Sequence, residues 1–269
     1  MYYILNIKMS DFTVICDKVG DFNYLFGVLK TPYDNTDTKI KLEYFDNLTE
    51  EFNKTQYDLR YSLINEEILE TVEAYENDDI IEIIDGICDI LYVVAGAKVY
   101  FNLPNSNINF KINNTAKSIN LEFNKEVLTN NLLDKKFLLN NLIEELNTSN
   151  LKLKLISDRI IKEYSISDVN RYNSLLDSIV YSLFQISYIL DINVMKYFDI
   201  VHDSNMTKVC STEEEAIRSV EFYKNDKTCR YKTPTYRMIN YKDTNYFVVY
   251  DEETKKILKS INYMKVKFD

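Results

Sequence analysis

The segment from Ile80 to Val94 constrains the fold more than any other part of the chain. It is apolar on almost every side of a helix, and this pattern predicts a helix at the centre of the protein. Its polar exceptions are Glu82, Asp85 and Asp89, whose spacing places them along one stripe of that helix. Because burying a carboxylate is costly unless it is protonated or neutralised, the stripe indicates a cation close by.

A second group of acids lies on the helix predicted just before this segment, over residues 49–76. Glu66, Glu67, Glu70 and Glu73 fall on one face of that helix, within an arc of about 120°. Taken alone, such a run is typical of a solvated helix surface. Two adjacent helices that each present carboxylates three residues apart would, however, form an oxygen-rich pocket of the kind that Mg²⁺ prefers.

Two features beside the acids bear on what neutralises them. Gly86 and Gly96 flank the stripe and would let another group approach the helix closely. The alternative to a metal ion is a nearby base, and Arg60 or Lys98 could fill that role.

The composition argues against several other kinds of chemistry. The chain of 269 residues has only 4 Gly, and their spacing excludes a glycine-rich phosphate loop or dinucleotide-binding turn. Its single His makes a His-rich metal site or a Ser-His-Asp centre unexpected. A net charge of -10 disfavours nucleic acid as a partner. The scattered cysteines and the acids within the longest apolar stretch predict a cytoplasmic protein with no membrane partner.

Helical patterns dominate the chain and predict a mostly α fold. Besides the two acidic helices, we expect helices at 11–29, 132–147, 150–163, 168–190, 193–208 and 212–224. The β-rich runs 236–240, 246–250 and 255–260 predict a small C-terminal hairpin or meander. We predict one compact domain over 1–269, comprising a first helical repeat (10–101), a connecting loop (102–131), a degenerate second repeat (132–210) and a helix plus β tail (211–269).

The acids also follow the signature of a known family. E-E-x-x-E at 66–70 followed by E-x-x-D at 82–85 resembles the motif of the all-α nucleoside triphosphate pyrophosphohydrolases. That superfamily includes the MazG proteins, phosphoribosyl-ATP pyrophosphohydrolase and the dimeric dUTPases. Further along, residues 198–208 resemble the helix and Ser-Asn-Met-[Ser/Thr]-Lys segment that ends the core of one MazG-like branch, and residues 256–263 resemble its tail.

The resemblance implies a MazG-like helical bundle and a Mg²⁺-dependent enzyme, with Mn²⁺ as a substitute. The implied reaction converts a nucleoside triphosphate substrate, NTP or dNTP with dUTP as one candidate, into the monophosphate and pyrophosphate. The implied metal ligands are Glu67, Glu70, Glu82 and Asp85. Beside these ligands, Glu66 is a candidate catalytic residue that would orient or deprotonate the attacking water.

Four other residues are candidates for the substrate side of the site. Lys208 is a candidate phosphate contact, and Asn205 could bond a base or a sugar. Tyr92 could pack beside the nucleoside, although an inward Tyr on a central helix is more often part of the core. Asp89 could support the metal ligands or act as an additional ligand.

The chain departs from the MazG-like branch by an insertion of about a hundred residues before the Ser-Asn-Met-Lys segment. Parts of this insertion echo the first helices, with residues 138–145 matching 63–70 and residues 171–190 matching 80–99. The second register is uncertain by about three residues, so the counterpart of Glu82 is either Ser174 or Arg171. We therefore predict a degenerate duplication, that is, a single-chain pseudo-dimer that acts alone or pairs again as a homodimer.

A loss of most acids in the second repeat leaves a different function open. The alternative is a catalytically decayed protein on the same scaffold, which would bind nucleotides or serve as a structural or virion-type interaction protein. The four implied ligands in the first repeat favour the enzyme.

Overall fold

The computed structural model describes residues 9–34, 50–105, 132–254 and 256–268. Within these residues the chain forms seven α-helices and one two-stranded antiparallel sheet. The helices are α1 (Met9–Leu25), α2 (Glu50–Glu76), α3 (Ile80–Tyr100), α4 (Leu132–Lys162), α5 (Ile166–Ile189), α6 (Val194–Met206) and α7 (Glu213–Asn225), and the strands are β1 (Pro234–Tyr241) and β2 (Thr244–Asp251). The predicted mostly α fold with a small C-terminal β element is confirmed.

The chain divides into two compact units. The first comprises Met1–Cys16 and Asn35–Tyr197, and the second comprises Asp17–Asp34 and Phe198–Asp269. These units follow contacts between residues, whereas the division predicted from the sequence follows repeats and patterns. That predicted division stays a prediction, and its connecting loop falls largely outside the described residues.

Two helical hairpins, α2–α3 and α4–α5, build the first unit. The first helix of each hairpin, α2 or α4, packs against the other, and the two run antiparallel. Residues later in α2 contact residues earlier in α4. The Tyr75 hydroxyl donates to Asn140 Oδ1 at 2.7 Å, and Asn150 Nδ2 donates to Asn65 Oδ1 at 2.8 Å. α3 and α5 also pack against each other, so the four helices share one core.

Side-chain caps mark the start of α3 and α5, the second helix of each hairpin. Asp79 caps α3 by accepting hydrogen bonds from the backbone N–H groups of Ile81 and Glu82. Ser165 caps α5 by accepting one from the N–H of Asp168 at 3.1 Å. Each cap satisfies backbone donors that the first turn of a helix leaves open.

α3 is the central helix that its apolar sequence predicts. Most of its residues are buried, and its three carboxylates are among those that are not. No single helix in the described part of the chain is long and apolar enough to cross a membrane; α5 and α6 meet that criterion only together, as a bent pair.

One predicted break in a helix is wrong. The helices expected at 132–147 and 150–163 are a single helix, α4. The polar run from Asn147 to Asn150 suggested a loop, but Ser149 and Asn150 are buried in the structure. Asn150 bonds to α2, so the polarity marks a contact between helices rather than a turn.

The second unit contains the β1–β2 hairpin and α7. The hairpin turns at Lys242 and Asp243, whose φ angles of 49° and 60° are typical of a type I′ turn. Three consecutive residues of β2 are buried, Phe247, Val248 and Val249. Phe247 and Val249 pack beside α7, and Val248 packs beside the end of α1. A strand covered on both faces reads as a continuous apolar run, as this one does.

The third β-rich run does not form a strand. Ile257 makes only an isolated bridge to Tyr250, and the Leu258 N–H donates to the Val249 carbonyl at 2.9 Å. Leu258 then enters the apolar cluster beneath the sheet. The tail is therefore a hairpin with a packed extension, not a meander of three strands.

Candidate active site

Three of the predicted acids of α2 and α3 lie near Glu67. This half-buried side chain lies within electrostatic range of Glu70 and Glu66 on its own helix and of Asp85 on α3. Desolvation, followed by those three carboxylates, raises the pKa of Glu67 to about 7. Such a shift is typical of acids that repel one another in a partly dry environment, and it is common at functional sites.

A missing side chain at Gly86 brings the two helices close at this level. A Cβ on Gly86 would lie 2.2 Å from the Thr71 hydroxyl oxygen, a collision that either residue would have to relieve by moving. Thr71 Oγ1 is itself held by donating to the Glu67 carbonyl at 2.7 Å. The group that approaches this glycine is therefore α2, whose Glu67 lies within electrostatic range of Asp85 on α3.

The other predicted residues of α3 follow the same helix. Glu82 is exposed in its first turn, while Asp89 and Tyr92 are partly buried one and two turns beyond Asp85. Burial first, then Asp89 and Asp85, raises the pKa of the Cys88 thiol, which keeps it protonated. The stripe of acids is thus continuous along α3, and its exposure decreases away from Glu82.

The two bases considered as alternative partners have other contacts. Lys98 Nζ lies 2.6 Å from Asp177 Oδ1 and 2.7 Å from Asn173 Oδ1, both on α5. The Arg60 guanidinium carbon lies 4.6 Å from the centre of the Tyr100 ring, a cation–π contact. Lys98 is therefore paired within the core of the first unit, whereas the buried Arg60 Nε has no hydrogen-bond partner among the described residues.

Asp177 is a buried partner of Lys98 that the sequence did not identify. Its side chain is only 4% exposed and that of Lys98 only 1%, so the two form a fully buried ion pair. A signal was available, since an acid within a helix as apolar as α5 needs a partner.

The carboxylates fit a divalent cation in their chemistry. Within the described residues, no three His, Cys, Asp or Glu side chains stand close enough together to form a metal site. Glu70 and Glu82 are exposed, however, and rotation about their side-chain bonds can turn them toward Glu67 and Asp85. A hard cation with oxygen ligands would also relieve the repulsion that raises the pKa of Glu67.

The remaining two predicted residues belong to the second unit. Lys208 Nζ donates to Asn205 Oδ1 at 2.5 Å and lies 6.0 Å from the centre of the Phe22 ring. The structure therefore brings these two substrate-binding candidates together as a pair.

The family match falls on the helices that carry the acids. Residues 41–115 match the model of phosphoribosyl-ATP pyrophosphohydrolase, and this span includes all of α2 and α3. This segment is a phosphoribosyl-ATP pyrophosphohydrolase domain, part of the MazG-like all-α nucleoside triphosphate pyrophosphohydrolase superfamily. The match supports a nucleotide pyrophosphohydrolase type of activity in general, and the family is generally metal-dependent.

One relative of this MazG-like chain matches along nearly its whole length. It is "Uncharacterized protein L479" of Acanthamoeba polyphaga mimivirus, 31% identical over 271 residues, covering 96% of this chain and 97% of the relative. The shared region therefore extends well beyond the family model and includes the second hairpin and the β tail. No solved structure matches the chain.

Proposed function

We propose that this protein is a Mg²⁺-dependent nucleoside triphosphate pyrophosphohydrolase. Its substrate would be an NTP or a dNTP, with dUTP among the first to test, and its products the monophosphate and pyrophosphate. The observation that carries the proposal is that Glu66, Glu70 and Asp85 all lie within electrostatic range of the half-buried Glu67. These acids lie on the two helices that the family model matches.

The acids have separate roles in this proposal. Glu67, Glu70, Glu82 and Asp85 would hold the Mg²⁺, and Mn²⁺ could replace it. A metal bound there supplies charge neutralisation for the phosphates and a lower pKa for a coordinated water. Glu66, exposed beside Glu67, would accept the proton of the water that attacks the α-phosphorus. The bond from that phosphorus to the pyrophosphate oxygen then breaks, and pyrophosphate leaves.

The substrate contacts are assigned by chemistry. Lys208 would bind phosphate oxygens, and Asn205, which already bonds Lys208, would bond the base or the sugar. Tyr92 would pack beside the nucleoside, and Asp89 would accept a hydrogen bond from water next to the metal or act as an additional ligand.

The contacts between α2 and α4 support the proposed single-chain pseudo-dimer. The pairs Asn65–Asn150 and Tyr75–Asn140 place residue 70 opposite residue 145. The echo of 63–70 in 138–145 equates these same two positions. A twofold axis requires that equivalent residues face each other in this way. Since one chain then supplies four helices, we expect light scattering to give the mass of a monomer, and a dimer built on the α2 and α4 faces would contradict this.

Pyrophosphate release from a panel of NTPs and dNTPs tests the function. We expect turnover with Mg²⁺ and none with EDTA. Asp85→Asn should lose turnover, because it removes a ligand charge with little change of shape. Glu76→Gln is the matched control, since Glu76 is an exposed acid at the end of α2, and it should keep full activity. If the folded protein turns over no substrate and binds nucleotides equally well with Asp85→Asn, the catalytically decayed scaffold is the better description.

A further inference from the structure

A cavity of about 380 Å³ lies between α4 and α5 of the first unit, among residues that the proposed chemistry does not use. Its size falls within the range of small-molecule sites, about 300–1,000 Å³. The lining residues are Lys152, Leu155, Ile156, Arg159, Arg171, Ser174, Leu175 and Ser178.

Three cations surround this cavity. Lys152 and Arg159 come from α4, and Arg171 comes from α5. The buried carboxylate of Asp168 lies 3.1 Å from Arg159 Nη2 and 3.8 Å from Arg171 Nη1, so it holds a guanidinium group from each helix. The lining residues together with Asp168 thus comprise three bases and one acid, on a chain whose net charge is -10.

The acid that positions the two arginines is itself well anchored. Asp168 is 5% exposed and lies in the first turn of α5, where its backbone N–H donates to the Ser165 hydroxyl. The arginine side chains remain about 60% exposed, so their other donors face solvent and a ligand can reach them. Guanidinium groups arranged in this way suit the planar, multidentate binding of phosphate oxygens.

The rest of the lining is apolar or small. Leu155, Ile156 and Leu175 form an apolar wall, and Leu155 is 66% exposed. The hydroxyls of Ser174 and Ser178 donate back to carbonyls of their own helix, which keeps these side chains compact. An apolar wall beside cations favours a ligand that has both a phosphate and an uncharged ring or chain.

The predicted duplication gives this cavity a counterpart in the first hairpin. The position equivalent to Glu82 is either Ser174 or Arg171, and both of these residues line the cavity. Where α3 carries acids that need a cation, α5 therefore carries serine and arginine. The first hairpin therefore favours a positively charged ligand, and the second hairpin favours a negatively charged one.

We propose that this cavity is a second, metal-independent site for a phosphorylated small molecule of nucleoside monophosphate size. Arg159, Arg171 and Lys152 bind the phosphate, and the apolar wall contacts the base. The site stands on its own contacts, and it does not depend on whether the carboxylate site is an active enzyme.

Calorimetric titration of the full chain with AMP in EDTA tests this site, because the chelator removes any metal on which binding at the carboxylates would depend. We expect Arg171→Glu and Lys152→Glu each to weaken AMP binding by about 10-fold or more, since each replaces attraction by repulsion. Lys162→Glu is the matched control, an exposed lysine at the end of α4 outside the cavity, and it should change binding less than about twofold. Circular dichroism checks that each variant is folded.

Three outcomes would overturn the site. The wild-type chain could fail to bind AMP in EDTA, or both charge reversals could bind AMP as tightly as the wild type. Binding that is lost in Asp85→Asn but kept in Arg171→Glu would move the ligand to the carboxylates. Inorganic pyrophosphate is the second probe. Equal affinity for pyrophosphate and AMP would show that the apolar wall does not contribute to binding.

Discussion

Replacing Glu67 by Gln is expected to lower kcat by about 100-fold or more and, without metal, to make the protein more stable. Activity falls because the amide cannot contribute the charge of a metal ligand. Stability rises because the ionised Glu67 is repelled by Glu70, Glu66 and Asp85 in a half-dry position. Since the side chain is half exposed, we expect a gain of about 1 kcal/mol, well below what the full pKa shift would imply.

The gain should depend on pH in a defined direction. The pKa of Glu67 is about 7 in the folded protein against an ordinary value of 4.5, so the folded state binds the proton more tightly. Ionisation of Glu67 therefore lowers the free energy of unfolding by its full amount above pH 7. This destabilisation disappears as the pH falls toward 4.5. Melting temperatures of wild type and Glu67→Gln in EDTA should differ most at pH 8 and converge at pH 4.5.

Added Mg²⁺ should reverse this order, because the metal stabilises only the chain that keeps its ligand. Glu76→Gln, on the same helix, should show neither the stability gain nor the loss of kcat. A Glu67→Gln protein that melts below the wild type at pH 8 in EDTA would refute the repulsion between these acids.

Breaking the buried ion pair is expected to cause the largest loss of stability. Lys98→Met should cost about 3–5 kcal/mol, because it leaves the Asp177 carboxylate buried without its cation. Asp177→Leu should cost a similar amount by leaving the Lys98 ammonium group buried. In the double variant both charges of the pair are gone, and we expect most of the stability to return. Denaturant unfolding of the four proteins measures this cycle.

An exposed ion pair of the same unit provides the control. Lys154 Nζ lies 2.8 Å from Asp158 Oδ1, but both side chains are about 40% exposed. Lys154→Met should therefore change the free energy of unfolding by less than about 1 kcal/mol. If the double variant is no more stable than Lys98→Met alone, the cost comes from lost packing and not from an isolated charge.

The sequence by itself determined the acidic hairpin. The apolar run of α3 and the spacing of Glu67, Glu70, Glu82 and Asp85 depend on residues near one another in the chain. The period of the α-helix alone then determines which face of its helix each of these residues occupies. The family match over 41–115 rests on that same local pattern.

Only the tertiary structure decided how the polar residues within the other helices are satisfied. Lys98, a candidate partner of the acids on its own helix, pairs with Asp177 on α5. Asn150 contacts α2 from within one continuous helix instead of following a break between two helices. Ile257 makes one bridge instead of a strand. A buried polar group must find a partner, but the period of a helix fixes only the direction in which the group points. Which residue meets it there depends on how the helices pack.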